Sequence, residues 1–244
     1  MTIFPLTQVP LTMPGCVAWM DATDTSIITS SGGSVSRIEN KANGQLPFIQ
    51  AVIGDQPQTG VGNINGKNGL TFNGTSNLLR CDGLAAAISG DDKPLSAFVV
   101  FKPENSLSGT GTTFSFANSA NNTVFFNHDN GTSNTFRVFK RDDASTLINA
   151  TTTVSALNDV SVLSMSCAGT TLKAFKNGVS FYNSTFNNGL TTLNTFAIGA
   201  RPALALASFF NGVISEVIIY NRALTDAQIT YVNGYLFRKY GLNF

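Results

Sequence analysis

Apolar and polar positions alternate over short stretches along most of this chain. Phe136-Arg-Val-Phe-Lys140 and Leu172-Lys-Ala-Phe-Lys176 show the period-2 alternation of half-buried strands. Comparable runs at Cys16–Met20, Val35–Ile38, Leu70–Phe72, Asn77–Cys81, Leu95–Phe101, Thr113–Phe116 and Thr123–Asn127 predict further strands. The series continues with Thr135–Lys140, Val160–Cys167, Thr171–Lys176, Val179–Phe181, Phe196–Ile198 and Phe210–Tyr220. Asn177-Gly178 separates two of these runs and is a hairpin signal, since both residues tolerate positive φ. Asn65-Gly66, Asn73-Gly74, Asn130-Gly131 and Asn211-Gly212 read as turns of the same kind. Many short strands at this spacing predict a sandwich or barrel.

Helical periodicity is confined to two places. Leu84–Ile88 predicts a short helix. From Thr225 to Lys239 the pattern is stronger: Thr225 and Gln228 form a capping box, and Ile229, Val232, Tyr235 and Leu236 share an apolar face. Arg238 and Lys239 suit the helix C-terminus, and Gly241 suits the position just beyond it. Gly234, inside the helix, costs about 1 kcal/mol relative to Ala and points to close packing against the body. Residues 1–12, punctuated by Pro5 and Pro10, predict an extended arm, and residues 13–244 a single domain. Such a segment either lies along its own domain or reaches a neighbouring subunit; the expectation taken forward is that it serves assembly, so its deletion should leave the fold intact.

Composition sharpens this. Thr, Asn, Ser and Gly supply 96 of the 244 residues while only 12% are charged, which favours strands and turns over helices. With 43% hydrophobic residues and 19 Phe the chain has ample material for a core. A net charge of +1 without a basic face argues against nucleic acid, and no apolar run is long enough to predict a membrane span. The first 15 residues lack a basic stretch and are broken by prolines, so no secretory signal is expected. Cys16, Cys81 and Cys167 match no metal or redox spacing and are expected as buried free thiols.

Several segments carry a family resemblance. Phe210-Asn-Gly-Val-Ile-Ser-Glu-Val-Ile-Ile-Tyr-Asn-Arg-Ala-Leu-Thr-Asp-Ala-Gln-Ile, closing with Tyr235-Leu-Phe-Arg-Lys-Tyr-Gly-Leu242, resembles the end of laminin-G-like, concanavalin A-like jelly-roll domains. Val17-Ala-Trp-Met-Asp-Ala-Thr-Asp24, Val35-Ser-Arg-Ile-Glu-Asn-Lys41, Asn68–Gly74 and Leu95–Pro103 are similar to earlier strands of that family. The resemblance implies an all-β, two-sheet antiparallel jelly-roll sandwich with a C-terminal capping helix. It is far less specific for function, because one fold hosts many. Relatives include glycan-binding modules, adhesion domains and appendages of enzymes, and versions like this one resemble phage virion proteins. Together with the arm, the expectation is a non-enzymatic structural protein on a phage virion surface, as capsid decoration or tail component, oligomeric or assembled with other virion subunits. The alternative is an adhesin that binds a host or environmental polysaccharide. Within this resemblance, Glu216 and Arg222 are expected to form an ion pair or hydrogen bond tying the last strand to the helix. Thr225 and Gln228 are structural residues of its cap.

Little in the sequence points to catalysis. Glu39, Glu104 and Glu216 are the only glutamates, and none sits in a spacing that pairs two carboxylates for glycoside hydrolysis. His128 is the only histidine and lies in what reads as the loop tip Asn127-His-Asp-Asn130. Asp21, Asp24 and Asp129 are candidates for calcium by their oxygen ligands; with no EF-hand pattern, no cofactor is expected. Asn127, His128, Asn130 and Phe209 are candidates for ligand contact, and Trp19 is expected in the core. In the pairs Phe125-Phe126 and Phe209-Phe210 neighbouring strand residues point to opposite faces, so one of each pair must leave the inner face.

Overall fold

The segment Leu95–Pro103 is apolar at nearly every position because both of its faces are buried. Leu95, Ala97, Val99 and Phe101 enter one core while Phe98 and Val100 enter another. This division between two cores organises the whole chain. The computed structural model describes residues 6–91, 93–104, 110–118, 123–129, 135–152, 159–185, 189–202 and 208–243, with the backbone alone for residues 6–8, 110 and 123–129.

In chain order the strands are β1 (Cys16–Asp21), β2 (Ile28–Ser31), β3 (Ser34–Ile38), β4 (Phe48–Ile49), β5 (Asn63–Ile64), β6 (Lys67–Asn68), β7 (Leu70–Asn73), β8 (Leu79–Arg80) and β9 (Leu95–Pro103). They continue with β10 (Thr110–Ala117), β11 (Thr123–Asp129), β12 (Thr135–Arg141), β13 (Leu147–Thr151), β14 (Ser161–Ala168), β15 (Thr171–Lys176), β16 (Val179–Thr185), β17 (Thr195–Ile198) and β18 (Asn211–Tyr220). Helix α1 spans Asp226–Tyr240, and the Ala-rich stretch expected as a short helix is a 3-10 turn, Asp82–Ala87. One antiparallel sheet of seven strands runs β1-β18-β9-β14-β15-β16, with β7 also paired to β18. The other, of nine, runs β13-β12-β11-β10-β17-β8-β4-β3-β2. The two sheets face each other across a core that includes Phe48, Phe72, Phe101, Phe114, Phe116, Phe136 and Phe196. This is the expected jelly-roll sandwich.

The second core lies on the far side of the seven-stranded sheet, where α1 places Ile229, Val232, Tyr235, Leu236 and Tyr240 over Trp19, Phe98, Val100 and Tyr220. The helix has the predicted capping box and ends at Gly241 with φ 62°. The hairpin turn at Asn177-Gly178 has φ of 49° and 76°, as its sequence requires. None of the three cysteines forms a disulfide; Cys81 and Cys167 are buried, and burial pushes the half-buried Cys16 thiol up to about 12. No described helix is long and apolar enough to cross a membrane.

Four expectations need correction. The segment Leu6–Thr12 is a 3-10 helix rather than an extended arm. It packs on its own domain: Val9 is buried in the second core, and the Tyr220 hydroxyl donates to Pro10 O at 3.0 Å. Deleting residues 1–12 is therefore expected to lower stability by about 2–4 kcal/mol, through lost burial of Val9 and an orphaned Tyr220 hydroxyl. Urea unfolding of full-length and truncated chains measures it, and equal midpoints would return the segment to a dispensable arm. Asn127, His128 and Asp129 belong to β11, paired on both sides, rather than to a loop tip. Asn130 lies outside the described residues. Asn211-Gly212 opens β18 rather than turning, and Gly234 is not packed against the body, since a Cβ there would meet only Arg238 Nη1 at 3.6 Å.

Candidate functional site

The clustered carboxylate at the sheet–helix junction is Glu216. Its position depends on a bulge: in β18, Ile214 pairs with Phe101 and Glu216 with Val100, so Ser215 is an extra residue. Simple alternation would put Glu216 beside Ile214 in the inter-sheet core. The extra residue turns it to the helix side, directly opposite Asp21 of β1. There Glu216 is fully buried and accepts four hydrogen bonds: from Trp19 Nε1, Tyr235 OH and Lys239 Nζ at 2.7 Å each, and from Tyr240 OH at 2.9 Å. Burial pushes the Glu216 carboxyl up, and the Lys239 ammonium opposes this. Lys239 also donates to Asp21 Oδ1 at 2.7 Å, and Lys41 bridges Asp21 and Asp24 at 3.2 and 3.1 Å. For Asp21 burial favours the neutral form, but Lys239, Thr23 and Lys41 outweigh it and hold the carboxyl below its usual range. Asp24 is also lowered, chiefly by Ser26 and Lys41.

Glu216 joins the last strand to the helix through Tyr235, Lys239 and Tyr240, and its cation is Lys239 rather than the expected Arg222. Trp19 is a core residue whose indole N–H is satisfied by this cluster. Asp21 and Asp24 do come together, yet around ammonium groups, so a calcium ion would have to displace Lys41. Among the described residues no group of three or more His, Cys, Asp or Glu side chains is arranged to hold a metal.

The nine-stranded sheet turns its other face outward, and among the described residues no helix covers it. Register sets Ser115, Ala197, Arg80, Ile49 and Arg37 in one row across that face. At mid-sheet the row is covered: Phe209, half-buried, packs with Leu78, Ala197 and Ala200, while its neighbour Phe210 enters the inter-sheet core. The expected split of this pair is therefore real, and its own chain covers the outward member. Toward β4 and β8 the face opens into a groove of about 460 Å³, lined by Leu46, Pro47, Ile49, Gln50, Arg80 and Asp82 among others.

Arg80 Nη2 donates to Asp82 Oδ2 at 2.8 Å, and Asp82 Oδ1 accepts from Phe196 N at 3.1 Å, which fixes the carboxylate. Ile49, 48% exposed, stands between Arg80 and the next fork, where Arg37 donates twice to Glu39 at 2.6 and 3.1 Å. Planar donor and acceptor groups beside an apolar surface suit a polyol: vicinal hydroxyls pair with guanidinium, carboxylate and amide, and a C–H face rests on Ile49 and Pro47. These residues escaped the sequence reading. The available signal was the repeat Arg37-x-Glu39 and Arg80-x-Asp82, a basic residue near a strand end with an acidic residue two places on, just beyond it. Of the expected ligand contacts, only Phe209 has a described side chain, and register puts its neighbour Ala197 opposite Arg80.

Comparisons with known proteins agree with this architecture. The concanavalin A-like lectin/glucanases superfamily, in its laminin-G-like form, matches residues 84–230. No curated protein matches significantly. Among solved structures, domain 4 of AbnA, a GH43 extracellular arabinanase from Geobacillus stearothermophilus solved with arabinotriose, is similar at a TM-score of 0.60 and 23% identity. The match covers 88% of this chain and 97% of that domain. Trypanosoma rangeli sialidase, solved with sialic acid, gives a TM-score of 0.65 at 14% identity over 93% of this chain and 33% of the sialidase. NanB sialidase from Streptococcus pneumoniae gives 0.56 at 17% over 66% and 26%. The chain thus spans a third or less of either sialidase, and at these identities the likeness is one of fold.

Proposed function

The chain belongs to the concanavalin A-like lectin/glucanases superfamily, and from that premise we propose that it is a glycan-binding module without catalytic activity of its own. The observation that carries this reading is the open outer face of the nine-stranded sheet. Its groove combines the fixed Arg80–Asp82 fork with exposed Ile49 and the side-chain amide of Gln50. The arabinotriose complex of a domain with the same fold, matched over nearly its whole length, supports a glycan as the ligand class. Against catalysis stands the chemistry of the carboxylate pair Asp21 and Glu216. Both touch one ammonium, but Glu216 is fully buried and Lys239 lies between them, so no glycosidic oxygen reaches the pair. A phage virion role assembled through the N-terminal segment draws no support from the comparisons, and Leu6–Thr12 is engaged with its own domain.

A glycan array followed by calorimetry tests the reading. Arg80→Ala is expected to weaken glycan binding by about tenfold or more, the value of hydrogen bonds to a charged group. Its melting temperature should fall by no more than about 4 °C, since a half-exposed ion pair is worth about 1 kcal/mol at most. Reducing-sugar release from the bound glycan should stay at background. Undiminished binding by Arg80→Ala would move the site elsewhere, and an array without hits would remove the glycan reading.

A further inference from the structure

We propose that Lys239 and Asp21 condense to an intramolecular amide, with Glu216 relaying a proton, so that β1 and α1 become covalently joined. Lys239 Nζ lies 2.7 Å from Asp21 Oδ1, 2.7 Å from Glu216 Oε2 and 3.1 Å from Tyr235 OH, so each of its three N–H donors has an acceptor. For an ordinary hydrogen-bond angle the nitrogen is then about 3.5 Å from Asp21 Cγ, a near-attack separation. Water is largely kept away. The side chains of Glu216, Asp21 and Lys239 are 0%, 6% and 15% exposed, and the rings of Tyr235 and Tyr240 each stand 5.5 Å from the nitrogen. Buried opposite charges are costly to hold, and condensation removes one of each. Lys173 and Asp226 are equally close, at 2.7 and 2.8 Å, but Asp226 is 69% exposed and no second carboxylate among the described residues contacts that lysine.

One ammonium proton passes along the hydrogen bond to Asp21 Oδ1, and the lone pair it frees forms the Nζ–Cγ bond. Negative charge then gathers on Oδ2, where the Lys41 ammonium stands at 3.2 Å. Glu216 Oε2 takes a second proton from the nitrogen. Burial, which pushes this carboxyl up, makes it a stronger base than an exposed glutamate. Glu216 returns that proton to Oδ1, the Cγ–Oδ1 bond breaks, and the oxygen leaves as water. Its way out is a groove of about 450 Å³ lined by Asp21, Lys41 and Lys239, among others. Ammonium and carboxylate have become one amide and one water, and Glu216 is a carboxylate again. The bond joins residues 218 apart in the chain, and like a disulfide it restricts the unfolded state.

Mass spectrometry of the denatured full chain is expected to give the sequence mass less one water. Trypsin should then release residues 1–37 joined to residues 239–244, because its first cut falls after Arg37 and an amidated Lys239 is no longer cut. Lys173 and Asp226 should appear in separate peptides. Glu216→Gln keeps both reacting partners and the shape of the site but removes the base. It is expected to be isolated largely unlinked, since such a relay is worth about a hundredfold or more in rate. Should that variant fail to fold, Lys41→Met, which removes the charge facing Oδ2, is expected to accumulate unlinked chain. Wild-type chain at the full sequence mass, or a lost water without the joined peptide, overturns the proposal. A Glu216→Gln chain linked as completely as the wild type overturns the part given to Glu216.

Discussion

Glu216→Ala is expected to lower stability by about 3–5 kcal/mol, the cost of breaking a buried ion pair by removing one partner. For a chain of this length that is a fall in melting temperature of roughly 6–20 °C. The substitution strands the donors Trp19 Nε1, Tyr235 OH and Tyr240 OH, all within the second core, and leaves Lys239 with Asp21 and the Tyr235 oxygen. Because three of the four donors to Glu216 come from α1, the helix should lose protection first. Glu216→Gln keeps the shape and one acceptor oxygen, so its loss should be smaller. Thermal unfolding with hydrogen exchange on α1 measures both, and a loss below about 1 kcal/mol for the alanine variant would deny the cluster its role as the tie between sheet and helix.

A second large effect is expected at Gly212. Its φ is 139°, outside the range of ordinary L-residues, and it pairs with Phe72 of β7 on one side and Pro103 of β9 on the other. A methyl group here runs into the carbonyl oxygen of Lys102 and comes within 2.9 Å of Glu104 N and Pro103 Cα. These are backbone atoms of the neighbouring strand and cannot swing aside. Gly212→Ala should therefore combine backbone strain with overpacking, about 3–5 kcal/mol in all. Low soluble yield or a strongly reduced melting temperature is the expected result. Gly241→Ala, also at positive φ but with nothing within 4 Å of a Cβ, is the mild control. Equal stability of the two variants would show that the close approach at β18 is not limiting.

The same residues show what could be read in advance. The apolar runs Cys16–Met20, Leu95–Phe101 and Val160–Cys167 locate β1, β9 and β14 to within one or two residues, because strands buried on both faces must carry apolar side chains at nearly every position. Asn177-Gly178 and the Thr225–Gln228 cap are equally legible, since local backbone geometry demands those residues. Strands β4, β5 and β6 have two residues each and leave no periodic signal, whereas the equally short β8 lies inside the predicted run Asn77–Cys81. Asn211-Gly212 carries a turn signature yet sits in β18, where the glycine answers to a neighbouring strand rather than to a turn.

For the candidate sites the division is sharper. The family resemblance implied the jelly-roll sandwich; the residues alone determined that this chain is all-β, built of many short strands, and that it has one capped C-terminal helix. Those conclusions rest on periodicity, turn chemistry and caps, which act over a few residues. Only the tertiary structure decided that Glu216 faces Lys239 rather than Arg222, that Leu6–Thr12 folds back onto Tyr220, and that Arg37, Ile49 and Arg80 share one open face. Each depends on pairings between residues far apart in the chain. The single extra residue at Ser215 shows the reason: it reverses the parity of β18, and no local pattern records on which side of a strand such a reversal will leave a side chain.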